Sequence, residues 1–324
     1  MLAVHLAKGK VALRRQPLPQ IPEGFARIRL LAAGICSTDL ELQRGYYGFS
    51  GTPGHEFVGE VTEVKGSSAD QKKWVGQRVA GEINLACGEC NWCAQGLGRH
   101  CPTRTVLGIV KHPGAFREFL TLPVRNLHRV PASIRTEDAV FIEPVGAACE
   151  ILDQVKIPKG EPVAVLGDGK LGLLIAQVLQ AHGAQVHLIG RHRDKMRLIE
   201  WSGVTAEIVG KKVPAAAFRY VVDSTGSAEG LSNAITMCMP RGTVIMKSTV
   251  HGLVAINTAV PIVNEVTLVG SRCGRFEPAL KLLGSGKVRV ADMISDEFPL
   301  DRAAEAFEKA GTKGVLKVLL RGVD

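Results

Sequence analysis

Residues 163–179 read VAVLGDGKLGLLIAQVL, and their reading decides the fold. The first four are apolar, two of them β-branched valines, and stop at a glycine, as a short buried strand does. After the glycines, Leu171, Leu174, Ile175, Val178 and Leu179 recur at the spacing of one helix face. The turn between strand and helix places Gly167, Gly169 and Gly172 in the order G-x-G-x-x-G. The first glycine permits a tight turn, the second lets backbone approach a pyrophosphate, and the third allows close helix packing. Bare glycines at a strand end can be mere turn residues, but here the strand and helix context favours a dinucleotide site. A nucleoside-triphosphate loop fits poorly, because Lys170 is followed by Leu171 and the upstream glycine spacing is missing.

Working outward, strands and helices alternate: AQVHLIG, then RDKMRLIEWSG up to Gly203, RYVVDSTG, SAEGLSNAITMCM and GTVIMKS. Such alternation predicts a doubly wound parallel sheet over residues 147–274. The stretch before it is different, with short strands in FARIRLLAAGI, FVGEVTEV, RVAGEI and FREFLTL separated by glycine and proline. That texture predicts an antiparallel, barrel-like or sandwich domain. Near Arg275 the alternation ends, and ISDEFPLDRAAEAFEKAGTKGVLKVLL reads as strand, helix, strand. This tail is too short to form a domain of its own, so residues 275–324 are expected to rejoin residues 1–146.

The end of the second parallel strand bears on the cofactor. An acidic side chain about 20 residues past the glycines would accept hydrogen bonds from the adenosine ribose of NAD. Here that strand ends in LIGRHR, so Gly190 stands where the carboxylate would be, followed by Arg191, His192 and Arg193. Without the carboxylate a 2'-phosphate is not repelled, and Arg191 can pair with it bidentately. NADP is therefore expected in preference to NAD, unless these arginines simply lie on a solvated loop.

Four of the eight cysteines fall in LACGECNWCAQGLGRHCP, residues 85–102. Cys87, Cys90, Cys93 and Cys101 follow C-x2-C-x2-C-x7-C. Two-residue spacers let successive thiolates turn toward one tetrahedral zinc. An iron–sulfur cluster is the competitor, encouraged by Pro102, but the last spacer is longer than the ferredoxin run requires. Four thiolates would close the coordination shell, which makes the site structural.

Reactive metal ligands must then lie elsewhere. AGICSTDLE and GTPGHEFVGE offer Cys36, His55 and Glu56, and FIEPVG offers Glu143. Three such ligands with an open fourth position would polarise an alcohol oxygen and lower its pKa. Each residue also has a plainer reading, as a small buried thiol, a satisfied core histidine or a turn.

In their order, GICSTD, PGHEFVGEV, GQRVAGE, the cysteine loop, FIEPVGAA, VLGDGKLG, VVDSTGS and GTVIM resemble the zinc-containing medium-chain alcohol dehydrogenases over nearly the whole chain. The resemblance implies a GroES-like, β-rich catalytic domain beside a Rossmann nucleotide-binding domain. It implies two zinc ions per chain, one catalytic at Cys36, His55 and either Glu56 or Glu143, and one structural at the four cysteines. It makes Thr38 the hydroxyl that takes the substrate proton and Asp39 the carboxylate that orients the ligand histidine. It also places Thr225 and Gly226 near the nicotinamide half. Many members have a histidine where this chain has Glu41, so the outer end of the proton relay departs from the pattern. Tyr46, Tyr47 and Phe49 either border a substrate pocket or pack the domain.

The implied activity is hydride transfer between NADP(H) and a secondary alcohol, polyol or related hydroxy compound and its carbonyl. The rivals are a zinc-independent quinone or enone reductase and a non-catalytic NADPH-binding protein. Both would be expected to lose metal ligands that this chain keeps. The family forms dimers or tetramers, for which NEVTLVGS is the candidate contact strand. Net charge is +9, but the basic residues are scattered and aromatics are only 5%, so no nucleic-acid partner is expected. No apolar run reaches membrane-spanning length, and MLAVHLAKGKVALRR lacks an apolar core of signal-peptide length. The expected location is the cytoplasm, away from membranes.

Overall fold

The computed structural model describes residues 1–210, 212–250 and 253–323, leaving the side chain of Tyr47 aside. The chain folds as two compact units, Met1–Glu143 with Val290–Asp324, and Pro144–Arg289.

In the first unit the long strand Phe25–Gly34 alternates half-buried and buried side chains along most of its length, the period of a strand with one face on a core. It pairs antiparallel with Glu56–Lys65, Phe119–Pro123 and the C-terminal strand Lys317–Arg321. The last pairing explains the return of the tail. Leu319, Leu320 and Arg321 lie opposite Gly34, Ala33 and Ala32, completing a seven-stranded sheet. Gly34 also faces Glu56 on its other neighbour. A Cβ added at Gly34 would sit 2.7 Å from Glu56 Oε2, 2.8 Å from Val140 Cγ1 and 3.1 Å from Lys317 Cδ. Glycine is needed there because two charged side chains fold over the strand.

The second unit has six parallel strands in the spatial order Thr205–Ile208, Gln185–Gly190, Pro162–Leu166, Phe218–Asp223, Cys238–Met246, Thr267–Gly270. Counted within the unit this is 3-2-1-4-5-6, whose order reverses between Pro162–Leu166 and Phe218–Asp223. Ligands of such sheets bind outside the strand ends at that switch point. The helix Lys170–His182 covers one face with Leu173, Leu174, Ile175, Val178 and Leu179 and stops at Gly183, where φ is +107°. The segment expected as one helix up to Gly203 divides into a helix, Arg193–Arg197, and a 3-10 turn, Glu200–Ser202.

The second crossing differs from expectation. The parallel-sheet unit does not end at residue 274 but continues to Arg289. The reason lies in the helix Phe276–Gly284, which buries Phe276 and Ala279. Arg275 pairs with Asp153 at 3.0 Å, and the Arg289 N–H donates to the buried Gln177 Oε1 at 2.9 Å. These bonds hold residues 275–289 against helices of the parallel sheet. Among the described residues no helix is long and apolar enough to cross a membrane.

Candidate active site

Cys36 is the N-cap of the helix Ser37–Gln43 and has extended backbone. Asp39, at the third helical position, reaches back so that its Oδ2 accepts the Cys36 N–H at 2.8 Å. The pattern is a capping box in which a carboxylate satisfies a donor the helix cannot. The other oxygen, Oδ1, accepts the Gly54 N–H at 3.1 Å and stands 3.5 Å from His55 Nδ1. Asp39 is fully buried, so one side chain fixes both segments that present Cys36 and His55.

Donor atoms of Cys36, His55 and Glu56 all lie within 4.8 Å of one another. His55 and Glu56 are buried and Cys36 is half-buried. Burial disfavours the imidazolium, but Asp39 and Cys36 outweigh it and raise the His55 pKa well above its ordinary value. His55 Nδ1 is buried and makes no hydrogen bond. A thiol, an imidazole and a carboxylate converging in this way are a fitting donor set for zinc. Thr38 Oγ1 lies 3.8 Å from Cys36 Sγ. Glu143, half-buried at the start of the helix Ile142–Gln154, is not part of the 4.8 Å group.

Lys317 is a site residue that the sequence reading missed. Its side chain is 1% exposed and its Nζ donates to Glu56 Oε2. Burial lowers its pKa, but the charges of Glu56, Cys36 and Glu143 more than reverse that, so it is raised above the lysine norm. A lysine in KGVLKVLL gives no local hint of burial; only the pairing of its strand with Ala32–Gly34 brings it to Glu56. Glu41 is paired with Arg44 at 2.6 Å. Tyr46 and Phe49 are half-buried around a 3-10 turn, and the Tyr47 side chain lies outside the described residues.

The four loop cysteines also converge. Their sulfurs are 3.5 Å apart for Cys90 and Cys93, 3.5 Å for Cys101 and Cys87, 3.8 Å for Cys90 and Cys101, and 3.9 Å for Cys87 and Cys93. Zinc–sulfur bonds of about 2.3 Å in a regular tetrahedron require sulfurs about 3.8 Å apart. The thiols are therefore already spaced for one closed zinc site.

In the second unit a cleft of about 280 Å³ opens at the switch point. Its walls include Gly167, Asp168, Gly169, Gly190, Arg191, His192, Ser224, Thr225, Glu229 and Asn233. Gly167 has φ +107°, which only glycine adopts freely, and a Cβ on Gly172 would strike the Gly167 carbonyl. Lys170, Leu171 and Gly172 form the first turn of the helix behind the loop, and Gly226 follows Thr225. Arg193 is exposed at the start of its own helix. None of these five lines the cleft.

Two family models match the chain: the alcohol dehydrogenase GroES-like domain over residues 22–132, and zinc-binding dehydrogenase over residues 171–285. The L-galactonate-5-dehydrogenase of Escherichia coli is 30% identical, covering 91% of each chain. The chain belongs to the zinc-containing medium-chain alcohol dehydrogenases. As a member of that family it is an oxidoreductase acting on CH–OH groups. The sorbitol dehydrogenase of Halalkalibacterium halodurans is 27% identical, covering 98% of this chain and 97% of its own. A Sinorhizobium meliloti chain solved bound to NADP is 28% identical, with a TM-score of 0.89 and coverage of 99% and 98%. The expected pairing of a GroES-like domain with a Rossmann sheet is borne out.

Proposed function

We propose that this dehydrogenase is zinc-dependent and oxidises a secondary alcohol, polyol or related hydroxy compound with NADP in preference to NAD, reducing the carbonyl in the reverse direction. The observation that carries the reading is the convergence of Cys36, His55 and Glu56 within 4.8 Å. These three would hold the catalytic zinc, and the grouping favours Glu56 over Glu143 as third ligand. The four cysteines would hold a second, structural zinc. When bound, zinc supplies Lewis-acid polarisation of the substrate hydroxyl, and the nicotinamide supplies the hydride acceptor.

The chain's own residues do the rest. Asp39 keeps the Cys36 and His55 segments in place, and Lys317 orients Glu56. Thr38 accepts the substrate's hydroxyl proton at Oγ1 and passes its own onward. Glu41 is already occupied by Arg44, which supports release of that proton to solvent. Thr225, in the wall of the cleft, serves cofactor binding together with Gly226 beside it. Arg191 and His192, lining the cleft beyond the end of the second strand, support the NADP preference, as does the NADP bound to the S. meliloti relative. Relatives named for sorbitol and L-galactonate support a polyol-like substrate.

A homodimer or homotetramer is supported by the edge strand Thr267–Gly270 and by Ile262 and Val263, which are 72% and 79% exposed. A panel of alcohols and carbonyls assayed with NADP and NAD in parallel tests the function. Turnover of a polyol or secondary alcohol with higher kcat/KM for NADP is expected. Equal use of both cofactors would overturn the preference, and turnover unaffected by chelation would overturn the zinc mechanism.

A further inference from the structure

Asp168 stands between the first two glycines of the loop and is 7% exposed. Its Oδ2 accepts the N–H of Arg191 at 2.6 Å and that of His192 at 2.5 Å. His192 Nδ1 lies 3.1 Å from each of its oxygens. A Cβ added at Gly190 would stand 2.6 to 2.7 Å from Asp168 Cβ, Oδ2 and Cγ. The carboxylate therefore fills the space into which an acidic side chain at position 190 would project, arriving from the glycine loop instead of the second strand. Glycine at 190 is the condition for that exchange.

The position of the charge is familiar but its use is different. A carboxylate has about four acceptor sites, and three donors already point at this one. Burial pushes the carboxyl up, but the His192 N–H, the His192 ring and the Arg191 N–H outweigh it and hold its pKa below the ordinary value. An ionised group so engaged is a weak acceptor for a ribose hydroxyl. What it does instead is pin the backbone from which Arg191 extends. Arg191 is 70% exposed in the cleft wall, 3.5 Å from Glu229, with its guanidinium open to an incoming anion.

We propose that Asp168 is a specificity-determining positioning residue for the adenosine end of the cofactor: by holding the Arg191 and His192 backbone it sets Arg191 to receive a 2'-phosphate. This rests on the NADP preference proposed above. Glu229 competes with the phosphate for the same guanidinium, so its neutralisation strengthens NADPH binding.

Calorimetric titration of the zinc-loaded protein with NADPH, NADH and 2',5'-ADP tests this in wild type, Asp168→Ala, Asp168→Asn, Gly190→Ala, Glu229→Gln and Arg191→Ala. Asp168→Ala is expected to weaken NADPH and 2',5'-ADP about tenfold, the loss of one good charge-assisted contact, and NADH by less than about twofold. Gly190→Ala, whose methyl displaces the carboxylate without removing it, reproduces that loss, and Glu229→Gln tightens NADPH. If Asp168→Ala does not fold, Asp168→Asn and Gly190→Ala carry the same test. Weaker NADH with unchanged NADPH would overturn the proposal, because Asp168 would then face the ribose hydroxyl. Equal loss of both cofactors, or of neither, would also overturn it. A wild type that binds both equally, with Arg191→Ala silent, would instead sink the NADP preference. NADPH preference lost in Arg191→Ala but kept in the Asp168 and Gly190 variants would sink this inference alone.

Discussion

Replacing Lys317 by methionine removes a buried charge while keeping most of the side-chain volume. The lysine is 1% exposed, its partner Glu56 is 1% exposed, and Phe141 covers the ammonium at 5.4 Å from the ring centre. Loss of Lys317 leaves the Glu56 carboxylate buried without its counter-charge. Breaking such a pair costs about 3–5 kcal/mol, whereas replacing both partners by neutral groups costs far less. At about 2–4 °C per kcal/mol for a unit of this size, Lys317→Met should melt about 6–20 °C lower than wild type. Zinc at Cys36, His55 and Glu56 would neutralise part of the unpaired buried charge, so the loss should be larger in chelated protein than in zinc-loaded protein. Adding Glu56→Gln to Lys317→Met should recover most of the stability, giving a coupling of at least about 3 kcal/mol in a double-mutant cycle. Urea and thermal melts of the four proteins, with and without chelator, measure it. A coupling below about 0.5 kcal/mol would refute the reasoning, since sites that do not interact add within that margin.

Two further outcomes follow from the same unit. Cys101→Ser should release the zinc of the cysteine loop, lowering metal content by one ion per chain by elemental analysis while the Cys36 site stays loaded; unchanged content would contradict a four-thiolate site. Glu137, bound by Arg321, which also pairs with Glu297 at 2.6 Å, has its carboxyl pushed up by burial but held below its ordinary value by Arg321. A depressed carboxylate stabilises the fold above its unfolded pKa and loses that contribution as pH falls. The advantage of wild type over Glu137→Gln in chemical denaturation should therefore be present at pH 7 and shrink below about pH 4. An advantage that grew toward acid would show the sign to be wrong.

The parallel sheet was legible because its signals are local. A strand, a glycine turn and a helix face all lie within residues 163–179, and the structure forms them at Pro162–Leu166 and Lys170–His182. The cysteine loop was legible for a similar reason, since two-residue spacers nearly determine where the thiols can point. The boundary at residue 275 was not, because residues 275–289 join the sheet unit through the bonds of Arg275 to Asp153 and of Arg289 to Gln177, more than 100 residues away in sequence. Lys317 is the same kind of omission, 261 residues from the carboxylate it meets.

The acidic residue at the cofactor end shows a different limit. Gly190 in LIGRHR correctly signals that the second strand carries no carboxylate there. It does not signal that Asp168, 22 positions earlier, fills the vacated space. A spacing rule follows a side chain along its own strand, while packing admits any neighbour that reaches the same volume. Cys36, His55 and Glu56 converge because Asp39 ties the Cys36 backbone to Gly54, a link between segments that no single motif contains.

Zinc content measured together with alcohol turnover in Cys36→Ser protein tests the central claim most directly. Wild type should carry two zinc ions per chain and the variant one, with alcohol oxidation abolished and NADPH binding intact. Two ions retained in the variant, or turnover undiminished, would contradict a catalytic metal held by Cys36, His55 and Glu56.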